Sequence, residues 1–154
     1  MKTRAYPRWI SRLYVFAMTV LGVTGLAQMP LARRYYISDL PGLGWLADFF
    51  MVHKVHYVAA AALLFVVGLV VANWLSRWKG RLGITPMGKV RLVLLAGLIL
   101  TGGLRVTRNL PDVFYSPEFV ILFDWTHLLL AMLIGVAALV ALVRGRSAYA
   151  EIRD

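Results

Sequence analysis

Cysteine is absent from this chain of 154 residues. Disulfide bonds, thiolate-bound zinc and cysteine-ligated iron–sulfur clusters are therefore excluded within the chain itself. Acidic residues are also scarce, with 7 Asp and Glu against 17 Lys and Arg. Charged residues make up only 16% of the sequence and hydrophobic residues 60%, which is too apolar for an ordinary soluble domain of this length. The composition favours a membrane protein that has no thiol chemistry of its own.

The net charge of +10 would also suit a nucleic-acid-binding protein. However, the basic residues lie at the ends of long apolar runs and do not line one polar face. Lysine and arginine at the ends of apolar segments are typical of membrane topology, because positive charge is retained in the cytoplasm. We therefore expect lipid and not nucleic acid as the partner of the basic segments.

Four apolar runs are each close to the roughly 20 residues that a helix needs to cross a bilayer. The sequence predicts an all-α membrane protein, a four-transmembrane-helix bundle in a single membrane domain over 1–154, with spans at about 13–32, 47–75, 90–104 and 119–143. A cleaved signal peptide is the alternative for the first run, which is longer than a usual signal core and has no clear small-x-small cleavage site.

The distribution of basic residues predicts the orientation. The amino-terminal segment, the connector around 77–91 and the tail after 143 hold 12 Lys and Arg, whereas the remaining segments hold 5. Both termini should therefore be cytoplasmic, with the loops 30–47 and 105–118 outside. We expect a multi-pass protein of a bacterial or archaeal cytoplasmic (inner) membrane.

The chain has three histidines, and all of them lie in apolar segments: His53 and His56 near the start of the second span, and His127 near the start of the fourth. An ionisable side chain inside a membrane segment is by default a functional hypothesis. His56 lies 21 residues before Arg77 and His127 lies 17 before Arg144, the next basic residue after each span, so the two histidines sit at similar depth. The match predicts one bound haem with His56 and His127 as its two axial ligands.

His53 and His56 are one helical turn apart and would approach an iron from the same side, so both cannot bind one haem. His53 lies 24 residues before Arg77, a poorer depth match, although it stays open as the alternative ligand. As the remaining histidine it could serve a haem propionate, a partner or a quinone. A liganding imidazole would bind iron through one nitrogen and donate the other N–H to an acceptor.

Four charged residues lie near these histidines. Arg105 and Arg108 are candidates for binding haem propionates or a partner, although interfacial arginines also extend simply to lipid headgroups. Asp124 lies one turn outward of His127, and Asp48 lies outward of His53. Both carboxylates are candidates for handling quinol protons, and the alternative is that they pair with Lys54 or an arginine.

The layout resembles a known family. Four spans, the Thr-Gly-Leu at 24–26 and histidines early in the second and fourth spans are similar to the membrane cytochrome b subunits of respiratory formate dehydrogenases, hydrogenases and thiosulfate reductases. Members of that family typically hold two haems b. His56 and His127 match the ligands of the outer haem in this resemblance. At the inner-haem positions this chain has Ser11 and Arg12 at the start of the first helix and Ala141 in the fourth, so the resemblance implies one haem b.

The resemblance implies a haem b-containing membrane anchor that transfers electrons between an extracytoplasmic iron–sulfur or multihaem cytochrome subunit and the quinone pool. Quinone would be the exchangeable substrate, and the chain would be the quinone-reactive subunit of an oxidoreductase complex, not catalytic alone. Two other classes stay open. One is a haem-free structural membrane anchor, and the other is a small transporter or membrane metalloprotein that uses His53, His56 and a nearby carboxylate.

Overall fold

A computed structural model describes residues 7–29, 31–145 and 148–152. Within them the chain forms five α-helices and two short strands. In chain order these are α1 (Arg8–Gln28), α2 (Leu31–Arg34), α3 (Phe49–Asn73), β1 (Leu82–Ile84), α4 (Pro86–Thr107), α5 (Pro117–Val143) and β2 (Ala150–Ile152). Two 3-10 turns, Ile37–Asp39 and Gly44–Ala47, lie between α2 and α3, and a π-helical turn, Trp74–Trp78, extends α3.

Four of the helices, namely α1, α3 with its extension, α4 and α5, are long and apolar enough to cross a membrane. The middle part of each helix exposes large apolar side chains: Phe16 is 67% exposed, Val58 72%, Leu100 71% and Leu129 58%. Apolar surface of this extent is unfavourable in water and is typical of helices that face lipid. These four helices support the mostly helical, transmembrane character predicted from the sequence, although the short β1–β2 pair was not predicted.

α1, α4 and α5 begin earlier than the predicted spans, whereas α3 begins at Phe49, two residues after its predicted start. In α4 and α5 a capping residue, not the first apolar residue, sets the start. The Thr85 hydroxyl accepts a hydrogen bond from the Gly88 N–H at 2.9 Å, so α4 begins at Pro86, not near 90. Ser116 similarly caps α5, which begins at Pro117. Proline is favoured in the first turn, where its missing N–H would have no intrahelical partner. The first span ends at Gln28, four residues before its predicted end.

The chain divides into two compact units, 1–79 and 80–154. In the first unit α1 packs along α3, and we call these two helices the N-terminal pair. Most of its core consists of small and medium-sized side chains contributed by both helices, namely Ala17, Thr24, Val52, Ala59, Leu63 and Val66. Small residues let two membrane helices approach closely.

In the second unit α4 packs along α5, and we call these two helices the C-terminal pair. Its core includes Leu95, Thr101, Phe123, Ile134 and Ala141. Residues 148–152, the C-terminal segment, return to the start of α4, where β2 pairs antiparallel with β1. The Arg91 guanidinium lies 3.9 Å from the centre of the Tyr149 ring and donates to the Ala148 carbonyl at 3.3 Å. These contacts attach the C-terminal segment to α4.

Because Gly88 has no side chain, the C-terminal segment can pack directly against the start of α4. A Cβ atom at this position would overlap the Tyr149 carbonyl oxygen, which is backbone and cannot rotate away. We expect Gly88→Ala to detach the C-terminal segment from α4, seen as loss of hydrogen-exchange protection at the Thr85 amide, which donates to that carbonyl. Gly83→Ala is the matched control, because a Cβ there meets no atom within 4 Å. Equal protection of the Thr85 amide in both variants would contradict this packing.

Candidate functional site

His56 joins the two helices of the N-terminal pair. Its Nδ1 lies 2.8 Å from the hydroxyl oxygen of Thr24, which is fully buried on α1. The same hydroxyl lies 2.7 Å from the Val20 carbonyl oxygen one turn earlier. A carbonyl can only accept, so the single hydroxyl proton of Thr24 is donated to Val20. The hydroxyl therefore accepts from His56, which places the imidazole proton on Nδ1 and the ring lone pair on Nε2.

His127 has the same arrangement in the C-terminal pair. Its Nδ1 lies 2.8 Å from the Thr101 hydroxyl oxygen, and that hydroxyl donates to the Gly97 carbonyl at 2.8 Å. By the same reasoning, His127 carries its proton on Nδ1 and its lone pair on Nε2. Thr24 and Thr101 are two of the three buried polar residues in the described part of the chain, and each contacts a histidine.

His53 differs from both of these histidines. Its Nδ1 lies 2.8 Å from the Phe49 carbonyl oxygen of its own helix, so it makes a local hydrogen bond and not one between helices. Its ring centre lies 4.0 Å from that of Phe49 and 6.2 Å from that of Tyr57, which places an aromatic row along one side of α3. The two candidate ligands on α3 are thus held differently, and His56 is the one held like His127.

Asp48 is the N-cap of α3. Its Oδ1 accepts a hydrogen bond from the Met51 N–H at 3.0 Å, in the first turn where backbone donors have no intrahelical partner. The side chain is exposed. The predicted quinone-proton role of Asp48 thus falls on a residue that also sets the start of the histidine-bearing helix.

Asp124 lies between Arg105 and Arg108. Its Oδ2 accepts a hydrogen bond from Arg108 Nη1 at 3.1 Å. Its Oδ1 lies 2.8 Å from Arg105 Nε as an ion pair outside hydrogen-bond alignment. All three side chains are about one third exposed, so solvent or headgroups screen the cluster. The cluster joins α4 to α5 and keeps one net positive charge, which suits an additional anionic group.

Two glycines lie against the candidate ligands. An added Cβ would lie 3.7 Å from His56 Cε1 at Gly25, and 3.3 Å from His127 Cε1 at Gly102. The distance at Gly25 is an ordinary van der Waals contact. At Gly102 the His127 ring would have to shift by a few tenths of an ångström to make room for the added atom. Each glycine directly follows the threonine that bonds the same histidine.

This difference predicts unequal effects of two similar substitutions. Alanine is favoured over glycine inside a helix by about 0.5–1 kcal/mol, so we expect Gly25→Ala to be neutral or to raise the unfolding temperature. Gly102→Ala should lose this gain in helix stability, because the added methyl group would force the His127 ring to move. The measurement is thermal unfolding of both variants in the same detergent. A higher unfolding temperature for Gly102→Ala than for Gly25→Ala would be evidence against this ring position.

The threonine partners were not predicted from the sequence. In the sequence, Thr24 belongs to the Thr-Gly-Leu run of the family resemblance, whereas Thr101 has no predicted role. The available signal was the repeated Thr-Gly dipeptide, at 24–25 in one long helix and at 101–102 in another. Each dipeptide precedes the helix that carries its histidine.

Each of the two histidines His56 and His127, taken separately, has the donor state that haem iron requires. A neutral imidazole binds iron through a ring lone pair and donates its other N–H to a neighbouring acceptor, which orients the ring. His56 and His127 both have this protonation pattern. The described residues contain no group of three or more His, Cys, Asp or Glu that could hold a metal ion.

Comparison with family models, with curated proteins and with solved structures finds no match to this chain.

Proposed function

We propose that this protein is a membrane anchor subunit that binds one haem b through His56 and His127 and transfers electrons between an extracytoplasmic redox subunit and a quinone. The observation that carries the proposal is the shared state of the two histidines. Each Nδ1 lies 2.8 Å from the hydroxyl oxygen of a buried threonine. Because each hydroxyl donates its proton to a backbone carbonyl, we assign the imidazole proton to Nδ1 and the lone pair to Nε2 in both.

Bound haem would supply one-electron chemistry, with a potential set by the axial ligands, burial and hydrogen bonds around it. The chain would hold the iron with the two Nε2 atoms. Arg105 and Arg108 would place positive charge near propionate carboxylates, partly balanced by Asp124. His53, Asp48 and Asp124 are our candidates for exchanging protons with quinol at the outer side.

A reduced-minus-oxidised absorption spectrum of the purified full-length protein tests the proposal. We expect the bands of a low-spin b-type haem and one haem per chain by pyridine haemochrome. Absence of haem after expression with ample haem supply would refute the proposal. Two haems per chain would refute the assignment of a single bis-histidine site, because the second would need ligands other than these histidines.

A haem-free structural anchor is the second candidate, and the same two hydrogen bonds favour it. Thr24 with His56 and Thr101 with His127 are contacts between helices, which polar residues commonly make in membranes. Such bonds contribute about 0.6 kcal/mol on average, so loss of either histidine would cost little stability. The spectrum separates the candidates, since only the first requires an absorbing cofactor.

The partner and the membrane side follow from the basic residues and from the family resemblance. With both termini in the cytoplasm, the connectors 30–47 and 105–118 would face outside and provide the surface for an iron–sulfur or multihaem cytochrome subunit. The host membrane would be the cytoplasmic membrane of a bacterium or archaeon. The chain would act as the quinone-reactive part of an oxidoreductase complex.

A further inference from the structure

The two helix pairs share one local design. In each, a threonine near the end of the first long helix bonds the Nδ1 of a histidine in the second, and the glycine after that threonine lies against the histidine Cε1. Thr24 is the 17th residue of α1 and Thr101 the 16th of α4. The first helices have 21 and 22 residues.

The buried positions around the histidines also correspond. Four residues before each histidine is a buried apolar side chain, Val52 before His56 and Phe123 before His127. Seven residues after each is another, Leu63 in α3 and Ile134 in α5. A helix presents positions i−4, i and i+7 on one side, so both histidine-bearing helices turn the same side toward their partners.

We propose that the chain consists of two copies of one threonine-glycine/histidine helix pair, and that Thr24 and Thr101 are equivalent positioning residues that keep their histidines protonated on Nδ1. Each threonine acts on the histidine of its own unit. The repeated unit therefore fixes the tautomer of one imidazole, and the part of the chain that the structure describes contains this unit twice.

The geometry restricts what each threonine can do. Its hydroxyl proton is committed to a carbonyl of the preceding turn, at 2.7 Å for Thr24 and 2.8 Å for Thr101. The hydroxyl oxygen can then only accept a hydrogen bond from the imidazole. If the imidazole were protonated on Nε2, its unprotonated Nδ1 and the threonine oxygen would both be acceptors, and no hydrogen bond could form between them. Because an unpaired buried acceptor is unfavourable, the Nδ1–H tautomer is selected in both units.

One consequence rests on the proposed function. A hydrogen bond from the non-liganding N–H raises the basicity of a metal-bound imidazole, and losing such a partner typically weakens metal affinity by about 10–100-fold. Replacing either threonine by valine should therefore weaken haem binding and raise the midpoint potential, because a less basic ligand stabilises ferric iron less. The two valine variants should change both quantities in the same direction.

The test that does not depend on haem is nitrogen-15 NMR of histidine tautomers. Full-length protein from haem-depleted cells is labelled at histidine and studied in detergent about two pH units above the usual imidazole pKa of ~6.5. We expect the Nδ1–H form for all three histidines. Thr24→Val should change the tautomer of His56 alone, Thr101→Val that of His127 alone, and the serine variants, which retain the hydroxyl, should behave as the parent.

His53 is the internal control, since its Nδ1 donates to the carbonyl of Phe49 and not to a threonine. Alanine at the threonine positions replaces valine if a valine variant does not fold. Unchanged tautomers in both threonine variants would overturn the inference. A tautomer change in a protein that never binds haem would uphold the inference and refute the proposed function. If the threonine variants bind haem with unchanged affinity and midpoint potential, and their histidine tautomers are also unchanged, the proposed function stands and the inference is refuted.

Discussion

Replacing His56 or His127 by alanine is expected to abolish the b-type spectrum, whereas replacing His53 is expected to leave it. Alanine supplies no lone pair, and the described residues contain no third histidine held across a helix pair. The threonine partner would keep its bond to the preceding carbonyl, so the helix pair should survive the substitution. The expected loss is thus of the cofactor and not of the fold.

His53→Ala is a close control because it removes an imidazole from the same helix one turn away. Its hydrogen bond is to the Phe49 carbonyl of α3 and contributes nothing between helices. Pyridine haemochrome and circular dichroism on the three variants separate loss of haem from loss of helix. If His53→Ala loses haem and His56→Ala retains it, the haem ligand on α3 is His53 and not His56. The two helix pairs would then not hold their haem ligands in the same way.

A reporter that is active only outside the cytoplasm is expected to work when fused after Ser38 or Asp112, and to be silent after Gly80 or at the carboxyl end. The reason is the concentration of 12 of the 17 basic residues in the segments assigned to the cytoplasm. The first three fusion points lie in turns between helices, so a fusion there leaves the preceding helices complete.

The opposite reporter pattern would place the histidines near the cytoplasmic face, and the redox partner would then be a cytoplasmic protein. A matched control changes the charges and leaves the helices intact. Replacing the exposed Arg77, Lys79 and Arg81 by glutamine lowers the cytoplasmic count. These changes should weaken the preference for one orientation without affecting the spectrum of correctly inserted protein.

The amino-acid sequence by itself determined the class of protein. Helix number, approximate span position and membrane character follow from apolar length and charge, which are properties of consecutive residues and need no knowledge of packing. The three histidines were equally visible, because ionisable residues are rare in such segments. Even the true helix starts carry local signals, in Asp48, Thr85 and Ser116, although apolar length alone places the starts of α4 and α5 too late and that of α3 two residues too early.

The tertiary structure decided which side chains meet. Whether Thr24 contacts His56, or Thr101 contacts His127, depends on the rotation of each helix about its axis, and that rotation is set by packing against the neighbouring helix of the pair. The same holds for Asp124, whose meeting with Arg105 and Arg108 requires α4 and α5 to lie side by side. The sequence pattern indicates which residues share one face of a helix. Which residue of the neighbouring helix is the hydrogen-bond partner is known only from the packing of α1 against α3 and of α4 against α5.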